Sequence, residues 1–174
     1  ALVTPFSSTL QGLSGDELLS RWQGQTVDTP LLMDQNTHDM LTVFWGPTPG
    51  INVQVLAKEA LIDYAWTHQP TLAIVPFDDL NPRWRVLPVD GLSPIHKDFE
   101  AATYRLTIPI SLNADPQLVG LIRSNFAIPP SNRDSSKMTT VDLTGVTALV
   151  RATAATMERF GITYPAQDIR GWLL

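Results

Sequence analysis

Residues 72–75 read Leu-Ala-Ile-Val, an unbroken apolar run that follows the helix-breaking His68-Gln69-Pro70. Four residues are too few for a helix, and a strand points successive side chains to opposite faces, so this strand is apolar on both. Strands of that kind belong to sheets covered by helices on each face. The run therefore predicts a layered α/β fold, and the rest of the chain supplies the elements that complete it.

Strands are expected at residues 2–6, closed by Pro5, and at 52–56, where Val53 and Val55 share a face; two more are expected at 84–89 and 104–111. Helices fall between them. Ser14-Gly15-Asp16-Glu17 is a capping box, in which the Ser14 hydroxyl accepts from the Glu17 N–H and the Glu17 carboxylate from the Ser14 N–H. The helix it opens, residues 15–23, puts Leu18, Leu19 and Trp22 on one side and stops at Gly24. Asn36 or Thr37 is expected to cap a second helix carrying Met40, Leu41 and Phe44 and ended by Gly46-Pro47. A third, at 58–67, holds Leu61, Ile62, Ala65 and Trp66 at helical spacing. Asp115-Pro116 starts a fourth, with Leu118, Val119, Leu121 and Ile122 expected on its buried side. The order strand, helix, helix, strand, helix, strand, strand, strand, helix predicts a two- or three-layer unit on a mixed sheet.

Composition changes at residues 128–137, IPPSNRDSSK, where no apolar residue follows Pro130. Such a stretch cannot contribute to a core and reads as a linker or surface loop. Beyond it a strand is expected at 138–143, with Val141 and Leu143 on one face, then a helix at 146–160. Its stripe is Val146, Leu149, Val150, Thr153, Ala154, Met157 and Phe160, with Gly161 as the C′ residue and another short helix at 165–173. The expected division is a lobe at 1–126, a linker at 127–137 and a C-terminal strand–helix segment at 138–174. Both ends read as cuts within a longer polypeptide, because Ala1 opens almost directly on a strand and Trp172 to Leu174 are apolar; a small mature protein with tucked-in termini is the alternative.

Charge and motif content narrow the function. The net charge is −5 and the 12 basic residues are scattered, which makes nucleic acid a poor partner. No run of about 18 apolar residues exists to span a membrane. Cysteine is absent, so disulfides, thiol catalysis and thiolate metal sites are excluded. No GxGxxG, Walker A, HExxH or G-x-S-x-G pattern is present, and no cofactor is implied. His38, His68 and His96 are far apart and read as core or surface histidines. Asp78-Asp79 and Asp90-Gly91 read as turns, although strand ends are also where α/β folds place ligand contacts. Trp22 and Trp66 fall on apolar helix faces, whereas Trp45 and Trp84 border turns. The candidate ligand-binding residues are Ser7 and Ser8, after the first strand, and Asp34, Asn36 and Thr37, at the start of the second helix. Helix capping and loop solvation are the alternative role for both groups. No complete catalytic site is legible.

Five stretches carry a family resemblance. Residues 73–91, AIVPFDDLNPRWRVLPVDG, resemble the solute-binding-like module found ahead of the catalytic domain in CapA-type proteins of poly-gamma-glutamate capsule synthesis. Residues 13–24, LSGDELLSRWQG, and 104–109, YRLTIP, are similar to segments of phosphate-type periplasmic binding proteins. Across residues 2–126 the resemblance implies a three-layer, mixed-sheet lobe like that of type II periplasmic binding proteins, with 104–111 crossing toward a partner lobe. Residues 137–154 and 164–170 resemble the opening of the CapA domain, whose fold is similar to calcineurin-like metallophosphoesterases. That family opens with a strand and Gly-Asp, the aspartate being a metal ligand. This chain has Thr144-Gly145 there, and the later Asn, Glu and His ligands would lie beyond Leu174, so no metal site carries over. The family's phosphate contacts would fall near Ser7-Ser8 and Asp34 to Thr37, but its Ser-Gly-Thr signature is missing at the second place, so a phosphate ligand does not carry over either. The resemblance thus implies a non-catalytic ligand-binding or scaffold segment of an extracytoplasmic, cell-envelope protein of capsule or anionic polymer biosynthesis. Its expected partners are the remainder of a longer polypeptide or a second copy of the chain, and a small anionic or polymeric ligand. The alternative is a metal-dependent phosphoesterase in which Asp142, with Asp78 or Asp79, holds a divalent ion.

Overall fold

The expected apolar run 72–75 lies inside a five-stranded mixed sheet. In the computed structural model, residues 1–47, 49–111, 113–127, 129–141 and 152–167 are described. The strands are β1 (Leu2–Pro5), β2 (Leu31–Met33), β3 (Val53–Val55), β4 (Leu72–Ile74) and β5 (Trp84–Val86), in the order β3-β2-β4-β1-β5. β2 runs parallel to β3 and β4, whereas β1 is antiparallel to β4 and β5. The sequence shows no long period at β2, three residues held between Pro30 and Asp34, yet β2 lies between β3 and β4 and all three of its residues are buried.

Strand alternation divides the core into two layers. Leu2, Leu31, Met33, Leu72 and Ile74 face one cluster, completed by Leu18 and Trp22 of α1 (Gly15–Trp22) and Leu41 of α2 (Gln35–Trp45). Val3, Leu32, Ala73 and Val75 face the other, completed by Leu61 and Ala65 of α3 (Leu61–Thr67) and by Trp84. The fold is therefore three-layered, α1 and α2 on one face and α3 on the other. Each fully buried Leu contributes on the order of 1.5–3 kcal/mol, so both faces of the short strands stabilise the sheet.

Local chemistry explains where the helices begin and end. At α1 both halves of the capping box form, Glu17 N to Ser14 Oγ at 3.2 Å and Ser14 N to Glu17 Oε2 at 2.8 Å. Gly24, with φ of 73°, turns the chain out of the helix. The cap of α2 is Asp34, not Asn36 or Thr37: its carboxylate accepts from Thr37 N at 2.7 Å, and the helix starts at Gln35.

Two expected elements differ. Residues 104–111 form no strand; Thr107 N donates to Tyr104 O at 2.9 Å and turns the chain, while buried Tyr104 and half-buried Leu106 and Ile108 still pack on the core. Helix α4 (Pro116–Asn125) has the expected Asp115 cap but buries no residue, and Leu118 and Leu121 are 50% and 60% exposed.

Contacts divide the chain into a unit at Ala1–Ser135 and another at Ser136–Leu174. In the second, α5 (Ala152–Phe160) is followed by Gly161, whose N–H donates to Met157 O, and Phe160 stacks on Tyr164 at 4.8 Å. Residues 138–141 are not a strand. Asp142, Leu143, Thr144, Gly145, Val146, Leu149 and Val150 lie outside the described residues, as do 168–173 of the expected last helix. Among the described residues no helix is long and apolar enough to cross a membrane.

Candidate functional site

The connections of the parallel strands single out one end of the sheet. β2 leads through α2 to β3 on one side, whereas β4 leads through a 3-10 turn (Phe77–Asp79) toward β5 on the other. Adjacent parallel strands whose connections depart in opposite directions open a crevice at their carboxyl ends, where open α/β sheets receive ligands. The crevice between β2 and β4 is flanked by Asp34 and by Val75-Pro76-Phe77-Asp78.

Carboxylates crowd this end. Asp34 is buried by its role as cap. Lys58, in the 3-10 turn that follows β3, meets Asp79 at 2.6 Å. Hydrogen bonding to Asp79 raises the Lys58 pKa above its usual value, and the charges of Asp34 and Asp78 add to the effect. Asn132 Nδ2 donates to Asp78 Oδ1 at 3.1 Å. Asn36 is exposed on the first turn of α2, where the opening N–H groups of a helix lack partners within it. The side chain of Thr37 is buried on the same helix face as Leu41 and so turns toward the core.

The N-terminus of α1 is already occupied by an anion of the protein. Asp90 and Gly91, with φ of 52° and 77°, form a tight turn joined by reciprocal hydrogen bonds between Val89 and Leu92. The turn delivers Asp90 Oδ1 to Gly15 N at 2.9 Å. Arg105 brackets the contact, 3.0 Å from Asp16 and 3.6 Å from Asp90. A groove of about 630 Å³ runs beside it, lined by Leu19, Phe44, Trp45, Tyr104, Arg105 and Pro109 among others.

Ser7 and Ser8 are placed at the other end. Because β1 is antiparallel to β4, its end adjoins the start of β4, and Ser7 Oγ donates to Gln69 Oε1 at 3.1 Å. Ser8 Oγ accepts from Leu10 N at 3.3 Å and its carbonyl from Arg85 at 2.7 Å. The structure thus brings Asp34, Asn36 and Thr37 together and separates them from Ser7 and Ser8 by the length of the sheet. Lys58 was not marked by the sequence; its one signal is a lysine just past a strand.

The histidines stay apart, His38 beside Asp39 and the Trp22 ring, His68 stacked on Tyr64 at 4.0 Å. Among the described residues no three His, Asp or Glu side chains gather to hold a metal ion. Trp45 packs edge-on to Trp22 at 5.8 Å, and Trp66 carries Arg83 over its ring at 5.2 Å.

No family model matches the chain, and no curated protein matches it. Among solved structures it is similar to an ABC-type phosphate transport receptor from Vibrio cholerae, with a TM-score of 0.54 and 12% identity. The match covers 71% of this chain and 61% of the receptor, so the chain spans less than two thirds of that protein's length. The likeness establishes the fold, a mixed α/β lobe of the type II periplasmic binding-protein kind.

Proposed function

We propose that this chain is a non-catalytic ligand-binding or scaffold segment of a CapA-like, extracytoplasmic envelope protein of capsule or anionic polymer biosynthesis. Its ligand, a small anion or an anionic polymer, meets the carboxyl ends of β2 and β4. The observation that carries this reading is the switch in connection direction between the parallel strands β2 and β4, with the N-terminus of α2 following β2 and residues 75–78 following β4. The likeness to a phosphate receptor supports the ligand class.

The charge pattern shapes what binds there. Asp34, Asp78 and Asp79 surround one cation, Lys58. An incoming carboxylate or phosphate must therefore displace Asp79 from Lys58 and take the open N–H groups of α2. A γ-linked polyglutamate offers amide N–H groups as well as carboxylates, and those amides suit Asp78.

Calorimetric titration with inorganic phosphate and with a γ-linked glutamate oligomer tests the placement. Losing one charge-assisted hydrogen bond costs about 1.5–3 kcal/mol, so Lys58→Ala weakens binding by about tenfold or more. Ser8→Ala, at the opposite end, leaves the affinity unchanged. Binding that survives Lys58→Ala and falls with Ser8→Ala moves the site to the other end of the sheet; no heat with either probe removes the ligand class.

A further inference from the structure

Between the turn after β4 and the loop at residues 93–99 lies a cage whose walls all suit one chemical group. Two backbone carbonyls, Pro94 O and His96 O, project into it, and two aromatic rings, Phe77 and Phe99, face it. Arg133 fills the cage. Its Nε donates to Pro94 O at 2.7 Å and an Nη donates to His96 O at 2.6 Å. Its guanidinium carbon lies 5.2 Å from the Phe99 ring centre and 6.0 Å from that of Phe77.

Contacts other than those of Arg133 also hold the walls of the cage. Pro94 is buried, and His96 N donates to Ser93 O at 3.1 Å, which holds the loop. Phe99 packs edge-on against Tyr104 at 5.1 Å and rests on the core cluster. A planar cation with donors along its edge and a weakly hydrated face satisfies both wall types at once, whereas an ammonium offers a compact, strongly hydrated point charge.

We infer that Phe77, Phe99 and the 94–96 carbonyls form a guanidinium-binding site, filled by the chain's own Arg133. Through it the polar stretch around Ser131, Asn132 and Arg133 is clipped to the lobe beside Asp78. Arg133 N bonded to Ser131 Oγ at 3.0 Å and Asn132 bonded to Asp78 set the backbone that presents the side chain. The inference rests on the cage alone and is independent of which ligand the crevice takes.

Hydrogen exchange on the full chain, read by mass spectrometry, tests it. In the unaltered protein, amides at 93–99 and 131–135 exchange slowly. Arg133→Ala speeds both by about tenfold or more, the factor matching about 1.4 kcal/mol, and leaves β1 to β5 protected. Arg133→Lys does not restore protection. Ethylguanidinium added to Arg133→Ala restores slow exchange at 93–99, and ethylammonium does not. Phe99→Leu removes one wall and also loosens 131–135. Unchanged exchange at 93–99 in Arg133→Ala, equal rescue by ethylammonium, or full protection of 131–135 in Phe99→Leu each overturns the assignment.

Discussion

Gly50 shows how strongly a single residue is constrained here. A Cβ at this position would come within 2.1 Å of Gly24 Cα and 2.4 Å of Gly24 N, both backbone atoms with no side chain to swing aside. Gly50 N also donates to Trp22 O at 2.5 Å, tying the end of α1 to the approach to β3. Gly50→Ala is therefore expected to destabilise the protein by about 1–3 kcal/mol, the usual cost of overpacking. Urea unfolding reads this as a lower midpoint at an unchanged slope; an unchanged midpoint shows that the turn gives way freely. The Gly24 stop was legible from the sequence, but the need for Gly50 was not, since it comes from a neighbour distant in the chain. The α2 cap shows a finer limit. Asp34, Asn36 and Thr37 are all capping residue types, and only the end of β2 at Met33 decides that Asp34 takes the role.

Among the elements, the ones read correctly carry their signal within themselves. α1 has its capping box and Gly24, and β4 has its apolar run. β2 was missed because three residues are too short to show a period, although its position between two parallel strands makes it central. At 104–111 the alternation Tyr104, Leu106, Ile108 correctly marks the residues that face the core, but an irregular chain can share that alternation with a strand. Helix α4 exposes a different gap: its stripe and cap make a helix, and neither says what the stripe meets. With no residue of α4 buried, little tertiary packing stabilises it, and an isolated helix shorter than about 12 residues is marginal in water. Its amides are expected to exchange far faster than those of α1 to α3. Protection of α4 equal to that of α1 would show that its apolar side is covered in solution.

For the whole molecule, the layered fold was legible, while the relation between the two candidate segments was not. Ser7-Ser8 and Asp34 to Thr37 each follow a strand, and strand ends look alike until direction is known. The antiparallel placement of β1 puts them at opposite ends. Global stability also depends on where the 104–111 segment docks. Tyr104 is buried, no partner among the described residues lies in hydrogen-bond geometry with its hydroxyl, and burial pushes its pKa up to about 12, offset only in part by the Leu2 backbone. The unfolded chain loses this proton near pH 10, before the folded protein does, so the unfolded state binds fewer protons in that window. Stability is accordingly full below about pH 10 and falls as pH rises toward about 12, by at most about 1.4 kcal/mol per unit. Tyr104→Phe should flatten that part of the pH–stability curve; an equally steep decline in the variant assigns it to other groups.

The position of β1 also has a consequence for how the chain is made. Leu2 pairs with Ile74 and Val3 with Val86, so a strand synthesised early waits for partners that leave the ribosome much later. During that interval β2 and β3 can pair, and β4, on emerging, can complete a parallel trio with them before β1 closes its longer loop onto β4. The trio then presents the open side of β4 to whatever strand arrives, and closing so long a loop is slow compared with forming local helices. A nascent chain of this kind carries Leu-Val-Thr and an unfilled sheet edge at the same time, which makes the moment before β1 inserts the point at which a chaperone has most to protect.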